Sequence, residues 1–190
     1  PHSEGIAAWH QDSTYFGLRP HDHVTAWVAL CNVTGDAGPV EFAVGSHIRG
    51  QLQQKSGLIK NSVNTAGQII VEWFDQSQID RAILKPGQFS FHHTCTVHQS
   101  QPNRSDERRV GLALSYIPTR THYVGKRRMP ACLVRGRDEH GHFDLQPRPQ
   151  ADFGEIEMQR HDVTFKAYIE SFYEQLGEAE KDLPKEAAAG

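Results

Sequence analysis

Three pairs of residues have the types and spacing to do metal chemistry: His2/Glu4, His10/Asp12 and His142/Asp144. On an extended strand, an imidazole and a carboxylate two residues apart share one face, because strand side chains alternate. A second imidazole delivered by a neighbouring strand would complete a set of two nitrogens and one oxygen on one side of an ion. That set leaves three coordination positions open, the arrangement expected of a non-haem Fe(II) centre that also binds a bidentate oxoacid and dioxygen. The spacing alone selects nothing. With 12 His and 23 Asp and Glu in 190 residues, chance supplies 12 × 23 / 190, about 1.5, such pairs.

Context separates the three. His10/Asp12 lies in Trp9-His10-Gln11-Asp12, ahead of a polar turn region and a strand-like run over 24–30. His2/Glu4 sits at the end of the chain, where ordering is weakest, and His142/Asp144 follows every strong strand in a Gly/Pro-rich stretch; both read as surface pairs. Three residues compete for the distal imidazole, namely His92, His93 and His98, and composition leaves that choice open.

The elements that must position these groups are short strands. The run 24–30 is rich in β-branched and aromatic residues, and Gly35-Asp36-Ala37-Gly38-Pro39 closes the segment after it. Further strands are expected over 40–44, 68–74, 82–84, 88–92 and 110–117, separated by turn signals such as Lys85-Pro86-Gly87 and ended by Pro118. Many short strands with frequent turns indicate a mainly β sandwich or barrel. Residues 119–154 read as mostly loop, and 135–144 have the charge density of a lid or interface. Phe165, Tyr168, Ile169, Phe172 and Leu176 then recur at helical spacing. They predict one helix outside the sheet, capped near Asp162 or Thr164 and ended at Gly177. The whole reads as one domain over 1–190 with a frayed tail at 185–190.

Trp9-His10-Gln11-Asp12, Gly45-Ser46-His47, His98-Gln99-Ser100, Asn103 and Arg109, taken in order and spacing, resemble the phytanoyl-CoA dioxygenase family. The resemblance runs from Trp9 to about Pro118. It implies a double-stranded β-helix (jelly roll) with iron held by His10, Asp12 and His98, and with 2-oxoglutarate and O2 as cosubstrates. In that family the second His opens a His-x-Ser segment and an Arg follows eleven residues later. Counted from His98 this Arg is Arg109, whereas His92 and His93 lead to Asn103 and Arg104. A guanidinium suits the 5-carboxylate of 2-oxoglutarate, since a buried carboxylate is costly unless paired and Arg matches it bidentately. Arg108 competes for this role, and alternation lets only one of the two point inward. The resemblance also places Ser100 near the 5-carboxylate and Trp27 in the wall of the cosubstrate pocket. Because related halogenases replace the metal carboxylate by a small residue, Asp12 implies hydroxylation rather than halogenation. Members of the family carry a substantial segment before the His-x-Asp motif, so with eight residues ahead of Trp9 the chain is expected to lack the usual N-terminal part.

Around this centre, Tyr15, His93 and Asn103 are expected to reach substrate. His92 and His93 are neighbours on a strand and should face opposite ways, one into the pocket. Gln11 should turn away from the metal, His47 should serve a structural hydrogen bond, and His21-Asp22-His23 should form loop surface.

The bulk properties bound the function. The net charge of -3 gives no broad positive field for nucleic acid, and no apolar run approaches the ~18 residues of a membrane span. Cys31, Cys95 and Cys132 lack metal or redox spacing and read as free thiols of a reducing cytoplasm. These readings converge on an Fe(II)- and 2-oxoglutarate-dependent dioxygenase that hydroxylates a C–H bond of a small organic substrate, releasing succinate and CO2. The competing reading is a non-catalytic, cupin-like jelly roll that binds a metal or small molecule, or an inactive fragment.

Overall fold

The computed structural model describes residues 1–55, 57, 59–64 and 68–181, with side chains to residue 175. The elements run in chain order β1 (Ala7–His10), α1 (Ser13–Phe16), β2 (Leu18–Arg19), β3 (Val24–Ala29) and β4 (Val40–Ala43), then a 3-10 turn (Ser46–Arg49). After these come β5 (Gln54–Lys55), β6 (Ile69–Ile70), β7 (Ile79–Arg81), β8 (Phe89–His93), β9 (His98–Ser100) and β10 (Gly111–Tyr116). Three short strands, β11 (His122–Tyr123), β12 (Pro130–Ala131) and β13 (Asp144–Leu145), lead into the long helix α2 (Glu155–Lys181).

Two antiparallel sheets dominate, with orders β1-β9-β4-β7 and β10-β3-β8. The chain passes back and forth between them: β1 is in the first, β3 in the second, β4 and β7 in the first, β8 in the second, β9 in the first and β10 in the second. Any site between the sheets is therefore assembled from segments far apart in sequence.

Registers assign the faces. Thr25, Trp27 and Ala29 share one face of β3, opposite His92 and Ser90 of β8. Val24, Ala26 and Val28 lie on the other face beside Phe89, Phe91, Leu114 and Tyr116, forming an open apolar surface on which Phe91 is 64% exposed. Behind β1, Trp9 packs edge-on against Phe74 at 5.4 Å and against the buried cluster of Ala43, Leu52, Ile70, Phe74 and Val97. Trp9 points away from His10 because adjacent strand residues alternate, so one residue anchors the strand while its neighbour serves the site.

Several local expectations change. The strand expected over 68–74 reduces to Ile69–Ile70; near 82–84 the regular strand is Ile79–Arg81, and Leu84 pairs with Val33 in an isolated bridge. β10, at the edge of its sheet, is exposed at every position. The helix starts at Glu155 rather than near Asp162 and continues through Gly177 to Lys181. It docks mainly on α1, with Phe172 against Tyr15 at 5.1 Å and Tyr168 near Phe16 at 6.3 Å, rather than on a large sheet. Phe172 is buried, whereas Phe165 of the same stripe is 53% exposed. The side chain of Leu176 and the tail 185–190 lie outside the described residues.

Candidate metal centre

His10 ends β1 and His98 begins β9, and the two are direct partners across the antiparallel pair. Their ring centroids are 4.2 Å apart. Each ring is aimed by its own backbone: His10 Nδ1 meets the Ala8 carbonyl at 2.7 Å and His98 Nδ1 meets that of Thr96 at 2.9 Å. A carbonyl only accepts, so each Nδ1 carries the proton and each Nε2 presents a lone pair, as a metal-binding imidazole requires.

Asp12 reaches the same point by a different route from the one its spacing suggests. β1 stops at His10 after an irregular register, and Asp12 adopts helical backbone angles as the N-cap of α1. The carboxylate thus arrives from a turn at the strand's end, not from two residues along a straight strand. Its Oδ1 lies 3.9 Å from Nε2 of His10 and 3.7 Å from Nε2 of His98. All three residues are buried, and their ligand atoms lie within 4.8 Å of one another, the one such grouping among the described residues. Two lone-pair nitrogens and one carboxylate oxygen converging in a buried place fit a divalent cation.

The electrostatics agree with that fit. Burial disfavours ionising Asp12, but the facing imidazoles of His98, His92 and His10 outweigh it, and the carboxyl is held well below the usual carboxylate range. Burial, reinforced by His10, brings His98 down to about 3; burial also lowers His10 against the opposing pull of Asp12. The resting state is therefore one carboxylate and two neutral imidazoles, the protonation state in which ligands bind a metal.

The phytanoyl-CoA dioxygenase (PhyH) family profile matches residues 1–111, more than half of the chain and all three of these residues. The chain belongs to this family. Among curated relatives it is 27% identical, over 115 residues, to the phytanoyl-CoA dioxygenase domain-containing protein 1 homolog of Caenorhabditis briggsae, covering 57% of this chain and 40% of that protein. Among solved structures it is similar to the apo form of the non-heme monooxygenase ThoJ, with TM-score 0.77 and 29% identity over 96% of this chain and 64% of that one. It is also similar to the nickel complex of ThoJ, with TM-score 0.71 and 28% identity over 94% and 62% of the respective chains. The chain thus spans about 40% of the curated relative and under two thirds of the ThoJ chain.

The remaining expected residues divide. Arg109, just ahead of β10, is half-buried; its guanidinium donates to the Gly38 carbonyl and has no carboxylate partner among the described ion pairs. Burial lowers its pKa. Arg108 is exposed, so alternation favours Arg109 for an internal anion. Ser100 is buried on β9, opposite Ala7 and Val40. Trp27 sits on the inner face of β3 over Gly111. Gln11 turns away from the centre as expected and binds the carbonyls of Cys95 (2.6 Å) and Gly50 (2.9 Å), tying the motif to two loops.

Three residues expected near the substrate have partners within the protein. Tyr15 commits its hydroxyl to Asp12 Oδ1 at 2.6 Å, so it supports the carboxylate. Asn103 spends its side chain inside a turn, donating to the Glu107 carbonyl and accepting from Ser105. His93 opposes Val24 on the outer face and accepts from the Cys95 amide at 3.1 Å; its neighbour His92 is the one facing Asp12. His47 is exposed with its ring 5.7 Å from that of His93, and its side chain makes no hydrogen bond among the described residues. His23 is not loop surface: it is 1% exposed, edge-on to Phe16 at 4.6 Å, and burial lowers its pKa to about 4.

Thr25 carries no signal in the sequence, and alternation leaves open which of His92 and His93 lies beside the triad. The missing signal was the face. Phe89 and Phe91 suggest that their own side of β8 is the interior, yet they lie on the open surface and Ser90 and His92 lie within.

Proposed function

We propose that this chain carries the iron and cosubstrate site of an Fe(II)- and 2-oxoglutarate-dependent dioxygenase that hydroxylates a C–H bond of a small organic substrate. The convergence of His10 Nε2, His98 Nε2 and Asp12 Oδ1 carries this reading. Membership of the phytanoyl-CoA dioxygenase family supports it, as does likeness to a non-heme monooxygenase that takes nickel. The winding of the chain between two sheets is read as the family's double-stranded β-helix.

When bound, iron and 2-oxoglutarate supply the oxidising chemistry, with O2 consumed and succinate and CO2 released. The protein's own residues hold and orient. His10, Asp12 and His98 are ligands, and their fixed protonation leaves them no part as acids or bases. Arg109 offers the 5-carboxylate of 2-oxoglutarate a guanidinium with no internal acid to displace, and Ser100 adds a hydroxyl beside it. Trp27 walls the cosubstrate pocket and excludes water. Asp12 occupies the position that related halogenases leave for a halide, which favours hydroxylation.

The reading includes no nucleic-acid partner, and no described helix is long and apolar enough to cross a membrane. The free cysteines Cys31, Cys95 and Cys132 support a reducing, cytoplasmic setting.

The deciding experiment is anaerobic titration of the Fe(II)-loaded protein with 2-oxoglutarate. A weak visible charge-transfer band that saturates with cosubstrate is the expected result. Folded, metal-loaded protein that shows no band would point to a binding module instead.

A further inference from the structure

Asp12 has two carboxylate oxygens, and the protein treats them differently. Oδ1 faces Nε2 of His10 and His98 and accepts the Tyr15 hydroxyl. Oδ2 faces the opposite sheet, with Thr25 Oγ1 at 3.3 Å and His92 Nε2 at 3.4 Å. Thr25 and His92 are direct partners across β3 and β8, so one rung of the ladder supplies both groups. The His92 ring is buried among Phe42 at 5.2 Å and His98 at 4.6 Å, which holds it in place.

We propose that His92, with Thr25, is a positioning residue that holds Asp12 by Oδ2, so that the carboxylate offers a metal ion Oδ1 alone. This rests on the triad being the metal centre. The chemistry follows from the acceptor: a carboxylate has no proton to give, so the nitrogen facing Oδ2 must carry one, and His92 Nε2 is a donor here. A nitrogen bearing a proton has no lone pair for a metal. His92 is thereby set apart from His10 and His98, whose Nδ1 atoms hold the proton and whose Nε2 atoms are free. A carboxylate swung round to use both oxygens would take a coordination position that the chelating cosubstrate needs. Holding Oδ2 on the far sheet preserves that position. Outer-shell partners of this kind orient metal ligands and contribute to affinity.

The experiment is anaerobic Co(II) titration of the whole chain, followed by its visible d–d spectrum, for wild type, His92→Gln, His92→Phe and Thr25→Val. Gln keeps a side-chain N–H donor, Phe keeps the ring volume without one, and Val replaces Thr25 without its hydroxyl. Circular dichroism and thermal melts of the metal-free proteins establish which variants are folded. We expect His92→Phe to weaken Co(II) by roughly 10–100-fold with a changed d–d spectrum. His92→Gln should recover most of the affinity and the wild-type spectrum, and Thr25→Val should weaken binding less than His92→Phe.

If His92→Phe does not fold, His92→Gln and Thr25→Val still decide. A Gln variant with a lost site, or a Val variant indistinguishable from wild type, would overturn the clamp. Folded His92→Phe with wild-type affinity and spectrum would also overturn it. Pulsed EPR of the Cu(II)-loaded protein adds a count of coordinated imidazoles. Two in wild type and in His92→Gln supports the assignment, whereas three in wild type and two in the variant makes His92 a ligand. Failure of wild type itself to bind Co(II) would instead refute the metal centre, a separate result.

Discussion

The indole of Trp27 occupies the space where a Cβ on Gly111 would stand. Trp27 pairs with Ala113, so Gly111 is its diagonal neighbour across β3 and β10. The absence of a side chain at 111 is thus what leaves room for a large aromatic on the inner face. The pair also ties the proposed cosubstrate wall to the strand that follows Arg109.

Gly111→Ala should displace that ring. We expect a loss of roughly 1–3 kcal/mol in stability, the range for overpacking, with a changed near-ultraviolet circular dichroism spectrum. Urea unfolding and the spectrum together check this; an unchanged midpoint and spectrum would mean that Trp27 has room to move.

Arg109→Ala should weaken 2-oxoglutarate by roughly 2–5 kcal/mol, as removal of one partner of a buried charge pair does. The exposed Arg108→Ala should leave affinity near wild type. Isothermal titration of the metal-loaded proteins makes the comparison. The reverse pattern would show that the strand entering β10 is read one residue out of register.

His98→Ala should abolish the stabilisation that metal confers. Wild type at a metal concentration about 100 times its dissociation constant should gain roughly 2.7 kcal/mol, visible as a rise in Tm, and the variant should gain none. A variant that kept the full rise would transfer the ligand role to another residue.

Acid should destabilise the metal-free protein. Burial holds His98 at about 3 and His23 at about 4, and lowers His10, whereas the same residues titrate near 6.5 when unfolded. Between these values the unfolded chain binds more protons, so the stability present above about pH 7 is lost as pH falls through 6.5 toward 3. Asp12, lowered from its ordinary value, adds to the loss below about pH 4. Thermal melts from pH 7.5 to 4.5 should show Tm falling on acidification, with a shallower slope in His23→Phe. A flat profile in wild type would contradict the burial of these imidazoles in the folded state.

Much of the centre was legible in the residues themselves. The order of Trp9-His10-Gln11-Asp12, His98-Gln99-Ser100 and Arg109 carries both the ligand set and the choice of His98 over its neighbours, and the profile match over residues 1–111 covers the same segment. Turn residues such as Lys85-Pro86-Gly87 bound the strands by local backbone preference, which needs no tertiary context. The helical stripe through Phe172 was equally local, although its start at Glu155 precedes the apolar repeat and carries no capping hydroxyl to announce it.

What the tertiary structure decided was which face of each strand is inside. Alternation says that His92 and His93 point opposite ways, but not which way is inward. Apolar content misleads here, since Phe89 and Phe91 lie on the open side while Thr25, Ser90 and His92 line the interior. A metal site between two sheets has to bring polar ligands and their partners to the inner face, so the usual rule that the apolar face is the buried one fails there. The same holds for Tyr15 and Asn103, whose partners, Asp12 and a turn, are set by the folded path of the chain. The sequence named the atoms that can hold a metal; only the meeting of β1, β3, β8 and β9 fixed which groups hold those atoms in place.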